Sequence, residues 1–173
     1  MKLRFLFLAV IASSSAVYAQ SNPLSMAVKQ NYNNIKNNLL KGAEKMPDTE
    51  YTFKPAAESR TYGEVVTHIA TVQGAICAAA KGEDKKFDGS KTGKADAIAT
   101  LKAAFDYCDP IYEALTDSNG LEMGKMFGRD MAKFSILNFG VIHDNEMYGT
   151  MAVYLRAKGV VPPSSEPRGN TKK

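Results

Sequence analysis

The sequence predicts an all-α protein, a four-helix bundle whose helices are joined by long connecting loops. Four segments carry apolar residues at intervals of three and four, the spacing that places them on one face of a helix. No segment has the alternation typical of a half-buried strand, and no internal repeat is present. Four helices with one short and two longer connections favour a bundle.

The first two predicted helices are bounded by proline and glycine. The first covers residues 23–45 and ends before Pro47, which cannot continue a helix. Residues 48–59 form a connecting loop. The second helix covers 61–80 and ends at Lys81-Gly82, since glycine readily adopts the left-handed conformation that closes a helix. In the loop, two aromatic residues are expected to contact the bundle, Tyr51 and Phe53.

Two further helices complete the predicted bundle. The charged segment 83–93 has no apolar period and is expected to be an exposed connection. A third helix covers 94–116, and a loop with a short extended piece covers 117–129. The last helix covers 130–158 and ends at Gly159.

The N-terminus has the features of a secretory signal peptide. Residues 1–19 combine a basic start, an apolar run from Phe5 to Ala12 and a cleavage junction at Val17-Tyr18-Ala19. The mature chain is therefore predicted to begin at Gln20 and to be periplasmic or secreted. The apolar run is far shorter than the roughly 20 residues that span a bilayer, so we expect no membrane insertion.

Removal of the signal leaves about 150 residues, which suits one domain. We expect a helical domain over 20–163 and a disordered polar tail over 164–173. The formal charge of +4 includes Lys2 and Arg4, so the mature chain is near +2, with acidic and basic residues mixed along it. This distribution argues against a nucleic-acid partner.

The sequence contains two cysteines, Cys77 and Cys108. In an oxidising compartment they could form a disulfide. They could instead supply a reactive thiol, or serve as two small buried residues. The sequence leaves these alternatives open, because it does not give the distance between the two Cβ atoms.

The sequence also contains two histidines, His68 on the second predicted helix and His143 on the fourth. Both lie among residues expected to face the core. Histidines from facing helices of a bundle can converge on a metal ion. A lone histidine on an apolar face is, however, commonly a hydrogen-bonded core residue.

The segments around these histidines resemble the DinB/YfiT-like family. The matching segments are Tyr62–Ala70 and His143–Arg156, continued by Ala157–Ser165. The resemblance extends over nearly the whole mature chain and implies a four-helix bundle. It also implies a divalent-metal site made by one histidine of the second helix and two histidines, four residues apart, of the last.

Carried onto this chain, the resemblance assigns His68 and His143 as metal ligands and places Met147 at the third position. The metal would be zinc, nickel or manganese, and a thioether is a poor ligand for all three. Glu146 is a substitute that would give a two-histidine, one-carboxylate site. Alternatively, a His-His-Met set could bind Cu(I), or the metal site could be lost and Met147 could fill core volume.

The incomplete ligand set favours a non-catalytic binder of a small molecule, a metal or a protein partner. The alternative is a divalent-metal-dependent enzyme, of the thiol transferase or hydrolase type that the resemblance implies. Neither the ligand nor the partner is specified by the sequence. The oligomeric state is open as well, with a homodimer as one alternative.

Overall fold

The computed structural model describes residues 22–167. The predicted signal peptide and the last six residues of the predicted tail lie outside this range. Four α-helices form the bundle. They are α1 (Pro23–Lys45), α2 (Tyr62–Lys81), α3 (Lys94–Glu113) and α4 (Lys133–Ala157).

The helices pack in a ring in which α1 and α2 each contact both α3 and α4. Chain-consecutive α1 and α2 are therefore diagonal to each other, and the loop between them crosses one end of the bundle. This arrangement places α2, which carries His68, directly against α4, which carries His143. Among the helices of residues 22–167, none is long and apolar enough to span a membrane.

The core is formed by the apolar faces that the helical spacing predicts, together with several buried tyrosines. Tyr32 and Tyr112 stack with ring centroids 3.7 Å apart. Tyr32 donates its hydroxyl proton to Asp109, so the polar end of a buried ring is satisfied. Other core residues with no or almost no exposure come from all four helices: Ile35, Leu39, Val66, Ile69, Leu101, Phe105, Ile136, Leu137, Met151 and Leu155.

The loop between α1 and α2 is held to the bundle by the two aromatic residues expected to do so. The Tyr51 hydroxyl donates to the carbonyl of Ala43 at 2.6 Å. Phe53 contacts the ring of Tyr154 edge-on, with centroids 5.9 Å apart. These contacts fix the loop directly before the start of α2.

A β-hairpin separates α3 from α4. Its strands are β1 (Met123–Met126) and β2 (Arg129–Ala132), joined by a two-residue turn. The turn residues Phe127 and Gly128 both have positive φ, at 53° and 72°. Such a turn usually contains Asn-Gly or Gly-Gly, so Phe-Gly gave no hairpin signal.

The predicted ends of the third and fourth helices differ from those in the structure. The last helix begins at Lys133 instead of 130, because 130–132 belong to β2. The third ends at Glu113 instead of 116.

Cys77 and Cys108 form a disulfide that joins α2 to α3. Both residues are completely buried. Of the alternatives that the sequence left open, the structure therefore has the disulfide.

Two segments expected to be exposed or disordered contact the bundle. In the connection 83–93, the ring of Phe87 lies against Gly74 of α2. At the start of the predicted tail, the backbone amide of Ser164 donates to the Tyr148 hydroxyl at 2.8 Å. The ring of Phe87 buries apolar area when it packs, and the Tyr148 hydroxyl offers Ser164 a hydrogen-bond partner, so each segment is held although its other residues are polar.

Candidate functional site

The start of α2 is fixed by a reciprocal capping arrangement. The Thr61 hydroxyl accepts the backbone N–H of Glu64, and the Glu64 carboxylate accepts the backbone N–H of Thr61. Two of the amides left unpaired at a helix start are satisfied in this way. His68 follows one turn later, on the same face as Glu64.

His68 and His143 meet between α2 and α4. Their Nε2 atoms are 3.4 Å apart, and their ring centroids 5.3 Å. His143 is nearly buried, with 12% of its side chain exposed. The structure thus brings the two sequence-predicted site residues together, and metal binding by them stays a prediction.

The separation of the two Nε2 atoms suits a shared metal ion. Zinc–imidazole bonds of about 2.0–2.1 Å at a tetrahedral angle hold two nitrogens about 3.3 Å apart. Without a metal, the same distance allows one neutral imidazole to donate its Nε2 proton to the other. A shared metal requires both rings to be neutral, and the hydrogen bond requires the accepting ring to be neutral. Burial, with Arg60 and His143 nearby, lowers the pKa of His68 and favours its neutral form.

Asp144 lies behind His143 and is a site residue that the sequence analysis missed. Its Oδ1 is 3.6 Å from Nδ1 of His143, and its side chain is completely buried. Within residues 22–167, Nδ1 and both carboxylate oxygens have no hydrogen-bond partner. A carboxylate that accepts the second N–H is a common orienting group for a metal-binding histidine, and Asp144 lies close to, but not within, hydrogen-bonding distance of that nitrogen.

Burial raises the pKa of Asp144 to about 6, and the interaction with His143 partly offsets this rise.

The spacing of residues in the sequence indicates that Asp144 is buried. Gly140, Asp144 and Tyr148 are spaced four apart along the buried face of α4. An acidic residue in such a stripe is rare unless it is paired or functional.

The third metal ligand is not supplied by the residues that the sequence analysis considered. Met147 is partly buried and packs against the core, while Glu146 is exposed on α4. In the described part of the chain, no three His, Cys, Asp or Glu side chains are grouped to hold a metal. The protein donors that fit an ion are the two histidine nitrogens.

A second buried polar group lies between α2, α3 and α4. The Gln73 amide donates to the Tyr112 hydroxyl at 3.3 Å and lies 3.6 and 3.7 Å from the two disulfide sulfurs. The Tyr112 hydroxyl in turn donates to the carbonyl of Leu137. Gly140 makes room for this contact, since a Cβ there would lie 2.8 Å from the Gln73 Oε1.

An open cavity of about 410 Å³ gives His68 access to solvent. Its lining is polar, in contrast to the apolar lining of most small-molecule pockets. The polar and charged side chains of its lining include Glu58, Arg60, Glu64, Thr67, His68 and Thr71.

A four-helix bundle with histidines from its second and fourth helices facing each other is the arrangement expected from the sequence resemblance. The chain belongs to the DinB superfamily, whose family model matches residues 33–151. No curated protein matches it in sequence.

Two crystal structures are similar in fold. One is a DinB-like protein from Bacillus cereus, with a TM-score of 0.68 and 20% identity, over 79% of this chain and 93% of that one. The other is a DinB-like protein from Bacillus subtilis, with a TM-score of 0.65 and 21% identity, over 82% of this chain and 99% of that one. At these identities the likeness establishes the fold alone.

Proposed function

We propose that the protein is an exported, non-catalytic binding protein that holds a divalent transition metal or a small molecule beside His68 and His143. The observation that carries this proposal is the 3.4 Å separation of the two Nε2 atoms, at the edge of an open cavity. Asp144 supports it by facing the other nitrogen of His143. The ion that these residues fit would be zinc, nickel or manganese.

Two protein nitrogens hold such an ion weakly. Structural zinc sites have four protein ligands and catalytic sites usually three, so here water or a bound molecule must complete the coordination. A His-His-Met set for Cu(I) depends on Met147 turning from the core toward His143. The same deficit of ligands favours binding over catalysis.

Two observations favour the alternative, a divalent-metal-dependent enzyme. The carboxylate of Asp144 behind His143 and the open cavity at His68 are features that catalytic metal sites share. In that case the metal would supply a nucleophile of lowered pKa. His143 and His68 would hold the ion, and Asp144 would orient His143.

Metal titration of single variants tests the binding site. We expect wild-type protein, purified without chelator and then stripped, to bind about one zinc or nickel ion weakly by calorimetry. His68→Ala and His143→Ala should each abolish the binding, because a single imidazole remains. Glu146→Gln removes the carboxylate named as a substitute ligand and should bind as the wild type does, because Glu146 is exposed on α4. Equal heats from wild type and His68→Ala would contradict the proposed site.

Restoring the third nitrogen donor should strengthen metal binding. Met147 lies four residues after His143, so a histidine there would share its helical face. We expect Met147→His to raise the zinc affinity at least about tenfold, since an imidazole replaces a poor thioether ligand. Calorimetry of both proteins at one pH measures the change. Equal affinities would count against the assignment of position 147.

The export part of the proposal is supported by the signal-like N-terminus and by the Cys77–Cys108 disulfide, since disulfides persist mainly in oxidising compartments. We expect the mature chain to begin at Gln20 and to accumulate outside the cytoplasm. Mass spectrometry of the fractionated protein measures its N-terminus. An intact chain starting at Met1 in the membrane fraction would argue against export.

A further inference from the structure

The cavity beside His68 has two walls that are anchored to the bundle. On one side, the backbone of Arg60 is held by the buried Tyr154, whose hydroxyl donates to the Arg60 carbonyl at 2.7 Å. On the other side, the connection 83–93 is held against α2 where Phe87 packs over Gly74. Gly89 of the same connection lies close to Thr71. The cavity is therefore a feature of the fold, built across the outer face of α2.

The part of the lining that α2 supplies has more free hydrogen-bond acceptors than donors. The hydroxyls of Thr67 and Thr71 donate to backbone carbonyls within α2, so their oxygens remain free to accept. The Glu64 carboxylate adds acceptor capacity on the same face. The floor of the cavity along α2 thus favours a ligand that donates hydrogen bonds.

The loop wall of the cavity carries charges of opposite sign. Arg60 and Glu58 both line the cavity. Within residues 22–167, the ion pairs involve neither side chain. A guanidinium presents a planar set of donors that matches a carboxylate, whereas a carboxylate such as that of Glu58 attracts an ammonium group.

We propose that this cavity binds a small zwitterion of the amino-acid or short-peptide class. Arg60 binds the carboxylate of the ligand, and the ammonium group of the ligand lies toward Glu58 and the acceptors of α2. The inference rests on the proposed binding function, since it names the ligand of that cavity, but it does not require a metal. Polar lining and a wide opening suit such a ligand better than an apolar one.

Three probes of similar size separate the contributions of the two charges. They are glycylglycine, its C-terminal amide, which lacks the carboxylate, and its N-acetyl derivative, which lacks the ammonium group. Each is titrated into ¹⁵N-labelled mature protein, with EDTA present so that no metal contributes. We expect glycylglycine to shift the amide signals around Arg60, Thr67, Thr71 and Gly89, and both derivatives to bind several-fold more weakly.

Variants of the cavity test the assigned residues. Arg60→Gln should weaken glycylglycine binding by about tenfold or more, as expected for loss of a charge-assisted hydrogen bond, and Arg60→Lys should retain part of the affinity. Glu58→Gln should weaken glycylglycine but leave the N-acetyl derivative unchanged. The control is Arg156→Gln, an arginine that bonds Ser165 elsewhere on the surface.

Several results would overturn the inference. These are absence of glycylglycine binding, equal affinity for glycylglycine and its amide, or equal binding by wild type and Arg60→Gln. Equal affinity for the N-acetyl derivative would overturn the zwitterion assignment. Metal and peptide binding are measured separately, so loss of zinc binding with intact glycylglycine binding would contradict only the metal part of the proposed function.

Discussion

Replacing Cys77 and Cys108 together by alanine is expected to lower the free energy of unfolding by about 3–4 kcal/mol. The disulfide joins residues 31 apart in sequence, and the chain-entropy model assigns a cross-link of this length a stabilisation of that size. For a domain of this length, such a loss lowers the melting temperature by about 10 °C.

Thermal and urea unfolding of the two proteins measure this loss. Wild-type protein unfolded and refolded in reductant is the matched control, because it lacks the cross-link but keeps both sulfurs. If the variant is less stable than the reduced wild type, the excess reports the space that the sulfurs fill beside Gln73. A melting temperature that reductant leaves unchanged would contradict a stabilising role for the disulfide.

The helices could be predicted from the sequence because each of them buries one apolar face, and α1 and α2 also have clear end signals. Pro47 follows α1, and Gly82 ends α2 with a φ of 75°. The predicted start of α4 was wrong because strand β2 continues directly into that helix. A four-residue strand of Arg129–Ala132 has no apolar alternation that separates it from a helical first turn.

The pair His68 and His143 could be predicted, because the family resemblance placed both residues and the packing of α2 on α4 brings them together. Asp144 and Arg60 could not be placed in the same way. Asp144 lies four residues from both Gly140 and Tyr148, but its polar sequence neighbours obscure this spacing, and the packed bundle shows that its carboxylate is buried without a hydrogen-bond partner. Arg60 enters the cavity because a loop without helical period folds beside α2.

Replacing Asp144 by asparagine is expected to stabilise the metal-free protein at pH 8 by about 3 kcal/mol. Burial raises the pKa of Asp144 to about 6 from its ordinary value of 3.8, and a pKa difference of this size corresponds to about 3 kcal/mol. Asparagine has nearly the same shape and no charge to desolvate. The gain should therefore appear wherever the aspartate must be ionised.

The pH dependence has a definite sign. A carboxyl group whose pKa is raised on folding contributes stability that is fully present below about pH 4 and is lost as the pH rises through about 6. The lowered pKa of His68 acts in the opposite direction, since that contribution is lost as the pH falls. Because His68 is present in both proteins, the difference between wild type and Asp144→Asn isolates the carboxyl group. Tyr32 and Tyr112, which face Asp144 from α1 and α3, stay neutral in this range, since burial raises the pKa of each.

Urea unfolding at pH 4 and pH 8, with EDTA present, measures the difference. We expect Asp144→Asn and wild type to be about equally stable at pH 4 and to differ by about 3 kcal/mol at pH 8. If Asp144 orients His143 in the metal-bound protein as proposed, the same substitution should lower zinc affinity by about 10- to 100-fold, because the carboxylate facing Nδ1 of His143 is lost. A purely structural role for Asp144 also predicts the pH-dependent gain, but it does not predict the loss of zinc affinity. A stability difference that is the same at both pH values would show that burial does not raise the pKa of this carboxyl group. If both effects are found, Asp144 lowers the stability of the fold when it is charged and raises the metal affinity of His143. The gain in metal affinity then accounts for an acidic residue in the core of the bundle.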